Sequence, residues 1–372
     1  MKKRKVLILT AENMGTVTKA SADAIEKQLK SRGYMTRQVD CFNLMGKFGR
    51  KMAAWHGPLT TRHPFLWQMI HGFSQVFTGL THWFFYRLAR VGLLVEIKAY
   101  QPDLIISVHG NFTKVVSKVL RKADLKIPLM INVTDLVNPS HVWRDKDAAM
   151  NFLPTAAVKL QYEWLGFDPK RIVVSGFPRR EDIVVPTVPK VVPSPLKILM
   201  VTPALKVSNS VHFVREVAEI PNTQLTVICG HDERLYQQLT ALQQSGALSG
   251  VMIYGYVNNL PEFLANSQIL MTMSGPNLLL EGSRSGTAMV VTGHTPGQRA
   301  ENYRYVTENG FGFRCENPAL IKEQLTEFIN SHELEQCLAR TLFADGNDGA
   351  QIIADQIDQY FATPETTKKV AK

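Results

Sequence analysis

An α/β architecture of two Rossmann-like parallel-sheet domains is predicted by three observations. Short β-branched runs alternate with amphipathic helical stretches along the chain, as they do when each strand returns to its sheet through a helix. The alternation pauses at Pro186, Pro189, Pro193 and Pro195 and then restarts, as two domains joined by a stiff proline-rich linker would. The 372 residues suit two cores at roughly 100–200 residues per domain. The expected division is 1–190, 191–345, and a C-terminal helix and tail at 346–372.

In the first half, strands are expected at 6–10, 36–40, 104–108, 129–133, 150–153 and 172–175, with helices at 17–31, 112–123 and 156–164. In the second, strands at 197–201, 225–229, 251–254, 268–272 and 288–292 alternate with helices at 208–219, 234–242, 260–265 and 278–284. Open parallel sheets bind ligands at the carboxyl ends of their strands, so an interdomain cleft is expected there.

Composition removes several classes. With 45% hydrophobic and 20% charged residues, the chain is no disordered tail, collagen or coiled coil. No apolar run reaches the ~18–20 residues of a membrane-spanning helix. The apolar part of the basic start, 6–9, is too short for a secretory signal, so a peripheral or soluble, non-exported protein is expected. Cys41, Cys229, Cys315 and Cys337 are widely spaced, which argues for reduced thiols rather than zinc or disulfides. The triplet Asp145-Lys146-Asp147 reads as a solvated turn, and no metal is expected.

Charge is divided unevenly. Residues 1–190 carry 29 Lys+Arg against 14 Asp+Glu, a net of +15, while 191–372 carry 13 against 18, a net of −5. The stretch 41–95 has no acidic residue but holds Lys47, Arg50, Lys51, Arg62, Arg87 and Arg90, with eleven aromatics that include Trp55, Trp67 and Trp83. Basic side chains attract anionic headgroups, and Trp and Phe suit the headgroup–acyl boundary. An anionic membrane surface is therefore the expected partner. Nucleic acid is not, because the stretch is poor in the Ser, Asn and Gln donors that track a phosphate backbone. The alternative is one long core helix over 64–100 whose aromatics face inward.

The richest chemistry lies at 271–302. A strand ends near Thr272, Ser274-Gly275-Pro276 turns, and a helix starts around Asn277. Free N–H groups and the positive end of the helix dipole at such a start bind phosphate, which points to Gly275 and Asn277. Glu281, one turn on, is placed to hold a ribose diol. After the next strand, Pro296-Gly297-Gln298 fixes a turn, and Gln298, Glu301 and Asn302 offer amides and a carboxylate to sugar hydroxyls.

Together with Tyr254-Gly255-Tyr256-Val257 and Gly286, these residues in this order resemble the diacylglycerol glycosyltransferases: the monogalactosyldiacylglycerol synthases and the processive diacylglycerol glucosyltransferases. The resemblance covers roughly 4–361 and includes 19–25 on the first helix, Thr134-Asp135 with Trp143, and Gly176-Phe177-Pro178 with Arg180. It implies a GT-B type fold. It also implies a hexose moved without a metal or other cofactor from a UDP-sugar in the second domain to diacylglycerol or a related lipid at the first. The backbone at Tyr256 and Val257 would meet the uracil. Together with the absence of a signal, this places the protein in the cytoplasm, peripheral at the inner face of the cell membrane.

Three loops depart from the family pattern. Thr18 stands where the family has a His at the end of its Gly-rich loop, here 11–18 with Gly15. The loop 201–206 lacks the family's glycines, and Ser274-Gly275-Pro276 replaces Pro-Gly-Gly. Catalysis then falls to other groups. Asp135 and Glu12 are the carboxylates expected as base or base-orienter, with His109 after the third strand also at the acceptor side. A non-catalytic relative that binds membrane and nucleotide, or a UDP-sugar transferase with a soluble acceptor, are the alternatives.

Overall fold

The computed structural model describes residues 3–12, 16–178, 183–202, 206–295, 300–344 and 348–363. The chain divides into two compact units, 1–181 with 347–372, and 182–346.

The sheet of the first unit is built from β1 (Lys5–Thr10), β2 (Met35–Asp40), β3 (Leu104–Ser107), β4 (Leu129–Asn132), β5 (Met150–Leu153) and β6 (Ile172–Val174), all parallel, in the order β2-β1-β3-β4-β5-β6. The strands β1, β3 and β4 are buried along almost their whole length, as expected where helices cover both faces. On one face α1 (Thr16–Ser31) and α14 (Gly349–Ala362) pack together through Ala22, Ile25, Ile353 and Ile357. The last helix thus returns to the first unit. On the other face lie α5 (Thr113–Lys122) and α6 (Ala156–Trp164).

Three further helices fill the passage from β2 to β3: α2 (Gly46–Arg62), α3 (Pro64–Val76) and α4 (Thr78–Tyr100). The single helix considered for 64–100 is therefore broken. Phe77, at φ −105° and ψ 48°, leaves helical geometry between α3 and α4. The reading of its aromatics as core holds for Phe85, which is buried edge-on against Phe42 and Phe112.

The second unit holds β7 (Leu196–Val201), β8 (Thr223–Ile228), β9 (Met252–Tyr254), β10 (Ile269–Met273), β11 (Ala288–Gly293) and β12 (Gly312–Arg314), parallel in the order β12-β11-β10-β7-β8-β9. Its helices are α7 (Val207–Ala218), α8 (Glu233–Gln244), α9 (Leu260–Ala265), α10 (Pro276–Arg284), α11 (Tyr303–Glu308), α12 (Ile321–Asn330) and α13 (Glu333–Thr341). The edge strand β12 and the helices from α11 to α13 were not foreseen. Three residues are too few for a period-2 signal.

The proline-rich stretch is not a bare tether. Lys190 donates from Nζ to Leu264 O (2.6 Å), Ser267 O (2.7 Å) and Thr287 Oγ1 (2.9 Å). Pro186 lies so close to Gly286 that a Cβ there would come within 2.6 Å of its ring. With φ +70° as well, that position requires glycine. Residues 186–190 thus strap the second sheet.

Candidate functional site

Each sheet has a point where the strand order reverses, β1/β3 in the first and β7/β10 in the second, and ligands bind beyond the carboxyl ends of strands at such points. The sequence candidates distribute around these two places.

In the second unit, the turn after β10 is fixed from two sides. The Ser274 N–H donates to Gly293 O at the end of β11 (2.8 Å), and Ser274 O accepts from Asn302 Nδ2 (3.0 Å). Asn302 is buried and spends an amide hydrogen on the turn. The helix α10 then opens with Gly275 as its N-cap and Pro276 at its first position. Proline suits that position because its missing N–H has no intrahelical acceptor there. Asn277 and Glu281 are both half-buried in the first two turns. Glu301 is exposed with Arg304 Nη1 3.5 Å away. Gln298 lies outside the described residues. The Tyr256 ring stacks on His231 with centroids 4.2 Å apart and planes at 16°, beyond the ends of β8 and β9, with Val257 half-buried beside it. That stack was not foreseeable from the sequence, since His231 has no motif around it.

In the first unit, Glu12 follows β1. Its N–H donates to Asp40 Oδ2 (3.1 Å), and its exposed carboxylate lies 3.4 Å from Lys19 Nζ. Thr18 is buried and donates from Oγ1 to Ala11 O (2.9 Å), so it ties the helix start to the strand end. Gly15 lies outside the described residues. His109 follows β3, edge-on to Phe42 and Phe112. Burial first, and the nearby His56 second, push its imidazole down to about 4, so it is neutral at pH 7. Its buried Nδ1 has no hydrogen-bond partner among the described residues.

Asp135, in the loop after β4, is buried, and its Oδ2 accepts from Trp143 Nε1 (2.8 Å) and Ser140 N (2.9 Å). The carboxylate therefore folds the loop 135–143 upon itself. The Trp143 ring and Val142 come so near Gly110, next to His109, that a Cβ there would sit within about 3 Å of both. The triplet at 145–147 is a solvated turn at Lys146 and Asp147 but not at Asp145. Asp145 is buried and accepts from Ser117 Oγ (2.6 Å) and Asp147 N (3.0 Å), and burial raises its pKa. Among the described residues no group of three or more His, Cys, Asp and Glu could hold a metal ion.

The helices α2, α3 and α4 carry an unusual surface. Phe48, Trp55, Phe65, Leu66, Met69, Ile70, Phe73, Phe77, Trp83 and Phe84 are all exposed, and Lys47, Arg50, Lys51, Arg87 and Arg90 are exposed beside them in sequence. Trp67 differs: it is half-buried, edge-on to His56 at 4.8 Å. No helix among the described residues is long and apolar enough to cross a membrane.

A family model described as monogalactosyldiacylglycerol (MGDG) synthase matches residues 18–178. The chain is similar to the diacylglycerol glycosyltransferases. It is 27% identical over 364 residues to monogalactosyldiacylglycerol synthase 1, chloroplastic, of Arabidopsis thaliana, covering 89% of this chain and 66% of that one. It is 28% identical over 265 residues to the processive diacylglycerol beta-glucosyltransferase of Staphylococcus aureus (strain Newman), covering 66% of each. The chain thus spans about two thirds of the length of these curated relatives. Among solved structures, Acinetobacter baumannii MurG superposes with a TM-score of 0.67 at 13% identity over 96% of this chain and 99% of that one. A Staphylococcus aureus MnaA–UDP co-structure gives 0.58 at 14% over 97% of each. These likenesses establish the expected GT-B type fold of paired parallel sheets. The glycosyltransferase family model lies wholly in the first unit, whereas the densest motif spacing lies in the second.

Proposed function

We propose that the protein is a glycosyltransferase that moves a hexose from a UDP-sugar to diacylglycerol or a related lipid at an anionic membrane surface. The observation that carries this reading is the exposed aromatic face of helices α2–α4, in a stretch without acidic residues from 41 to 95, which lies within the segment matched by the MGDG synthase model. The relatives named for galactosyl and glucosyl transfer to diacylglycerol, and the UDP held by a neighbour of the same fold, supply the donor and acceptor classes.

The second unit holds the donor. The start of α10 takes the diphosphate at Gly275 and Asn277, through the Asn277 N–H and the helix dipole, the Gly275 N–H being held by Met273 O (2.7 Å), and the same start stabilises departing UDP without a metal ion. Glu281 is assigned to the ribose, Gln298 and Glu301 to the sugar, with Asn302 holding the turn beside them, and Tyr256 and Val257 to the uracil. The first unit holds the acceptor. Lys47, Arg50 and Lys51 attract anionic headgroups, and Trp55 and Trp83 enter the interface. Trp67 braces α2 against α3 at the same face. Glu12 reaches solvent at the β1/β3 reversal and takes the lipid hydroxyl proton, while Asp135 orients the wall formed by Trp143. Thr18 and His109 shape the acceptor side, with Thr18 in a structural role because it cannot act as a base near neutral pH, and Gly15, outside the described residues, is assigned to the same side. The protein then works as a peripheral protein at the inner face of the cell membrane.

The test is UDP release from UDP-hexoses with vesicles containing diacylglycerol. Release that depends on the vesicles supports the reading. Binding of UDP without release from any common UDP-hexose would overturn it in favour of a non-catalytic binder.

A further inference from the structure

Gln75 joins α3 to the loop that carries Asp135, and His82 of α4 also approaches that loop, its Nε2 3.4 Å from Val142 O. Gln75, in the last turn of α3, donates from Nε2 to Ser140 Oγ and lies 3.4 Å from His71 Nε2. Its Oε1 accepts from His141 N (2.9 Å), and its main-chain oxygen lies 3.2 Å from His141 Nδ1. That oxygen belongs to the last turn, where helix carbonyls lack intrahelical donors, so His141 caps α3. Burial lowers the pKa of His71, which leaves a neutral ring able to accept from the Gln75 amide.

The loop gripped by Gln75 is the one Asp135 folds. Ser140 donates its N–H to Asp135 Oδ2 while its hydroxyl receives Gln75, and Trp143, on the same carboxylate, closes over Gly110 beside His109. The far side of α3 presents Phe65, Leu66, Met69, Ile70 and Phe73 to solvent. A helix so poor in buried apolar contacts belongs to the low-stability end of a fold, and whatever covers that side fixes it.

We infer that Gln75 is a positioning residue that couples the seating of α3 on an anionic lipid surface to the order of the 135–143 loop and so to the acceptor pocket. The inference rests on the membrane reading above. When α3 is held by lipid, Gln75 holds Ser140 and His141, and Asp135 and Trp143 take the geometry described here. When α3 moves in water, the grip loosens.

Hydrogen exchange of the full chain, with and without vesicles of equal parts phosphatidylcholine and phosphatidylglycerol, tests this without reference to activity. In the wild type, amides of 136–144 should exchange about fivefold more slowly on vesicles. Gln75→Ala should bind the same vesicles as well as the wild type but show no slowing. Gln75→Glu keeps the acceptor for His141 and loses the donor to Ser140, so it should retain part of the slowing and serves if the alanine variant misfolds. In the UDP-release assay, Gln75→Ala should lower kcat about tenfold and leave KM for the UDP-sugar unchanged. Slowing that persists undiminished in both variants, or its absence in a wild type that binds vesicles, overturns the coupling alone. A wild type that ignores the vesicles overturns the membrane reading and the coupling together.

Discussion

The two units start alike and diverge after their second strands. In each, the first strand (β1 or β7) is central and the second (β2 or β8) lies beside it. In the second unit the chain continues through α8 to a third strand, β9, at the sheet edge, and through α9 before crossing to β10. In the first unit the corresponding passage has no strand. It is the three helices α2–α4, with most of their large apolar side chains outside the core. The same scaffold thus spends one connection on completing a sheet and its counterpart on an apolar face that water alone does not favour. The difference teaches where the two units part in surface chemistry, since sheet-building is common to both and the exposed aromatic face is not.

The largest effect expected from breaking this contrast is on lipid binding. Replacing Lys47, Arg50 and Lys51 with Glu removes about 1 kcal/mol of attraction per residue and adds repulsion of similar size. Co-sedimentation with anionic liposomes at low salt should fall below detection, while UDP binding is unchanged. Retained sedimentation would refute electrostatic docking.

Acid should strike the first unit next. Burial first, and Lys114 second, push His82 down to about 4, and His109 is shifted in the same direction. The unfolded chain takes up these protons near the ordinary value of about 6.5, whereas the folded chain resists until about 4. Stability is therefore full above pH 6.5 and is lost as pH falls towards 4, by about 3 kcal/mol for His82 alone. Urea melts followed by hydrogen exchange should show 78–122 opening earlier at pH 4.5 than at pH 7, with a smaller change in the second sheet.

The strap of the second unit has a separate weakness. Lys190→Met leaves Leu264 O, Ser267 O and Thr287 Oγ1 without their shared donor, which should cost about 2 kcal/mol in denaturant unfolding of the second unit and leave vesicle binding intact. The smallest effect expected is that of Glu281→Ala on the donor. Loss of a carboxylate to a ribose hydroxyl should weaken UDP about tenfold, read by calorimetry, with no change in lipid binding. An unchanged affinity would remove Glu281 from the nucleotide site.

The strands were legible because buried parallel strands write short, continuous β-branched runs: β5, α6 and α9 fall where the pattern puts them, and the other foreseen strands within about two residues. The break at Phe77 was not legible, because the sequence on both sides of it favours helix and only packing decides where one helix stops. Nor was the burial of Asp145, whose charged neighbours Arg144, Lys146 and Asp147 suggested water while Ser117, from another element, supplied its partner. The stack of His231 on Tyr256 and the grip of Gln75 on Ser140 share this character, joining residues 25 and 65 positions apart.

By itself the sequence determined that this chain would form two parallel α/β sheets, that its first half would be cationic and aromatic, and that a Gly-containing turn would open a helix after Thr272, because periodicity, charge and turn chemistry are local properties. Only the tertiary structure decided which aromatics point outwards, that Asp135 and Thr18 spend hydrogen-bonding groups on holding loops, and that α3 reaches the Asp135 loop through one glutamine. Burial and hydrogen-bond partnership depend on residues far apart in the chain, and folding alone brings those together.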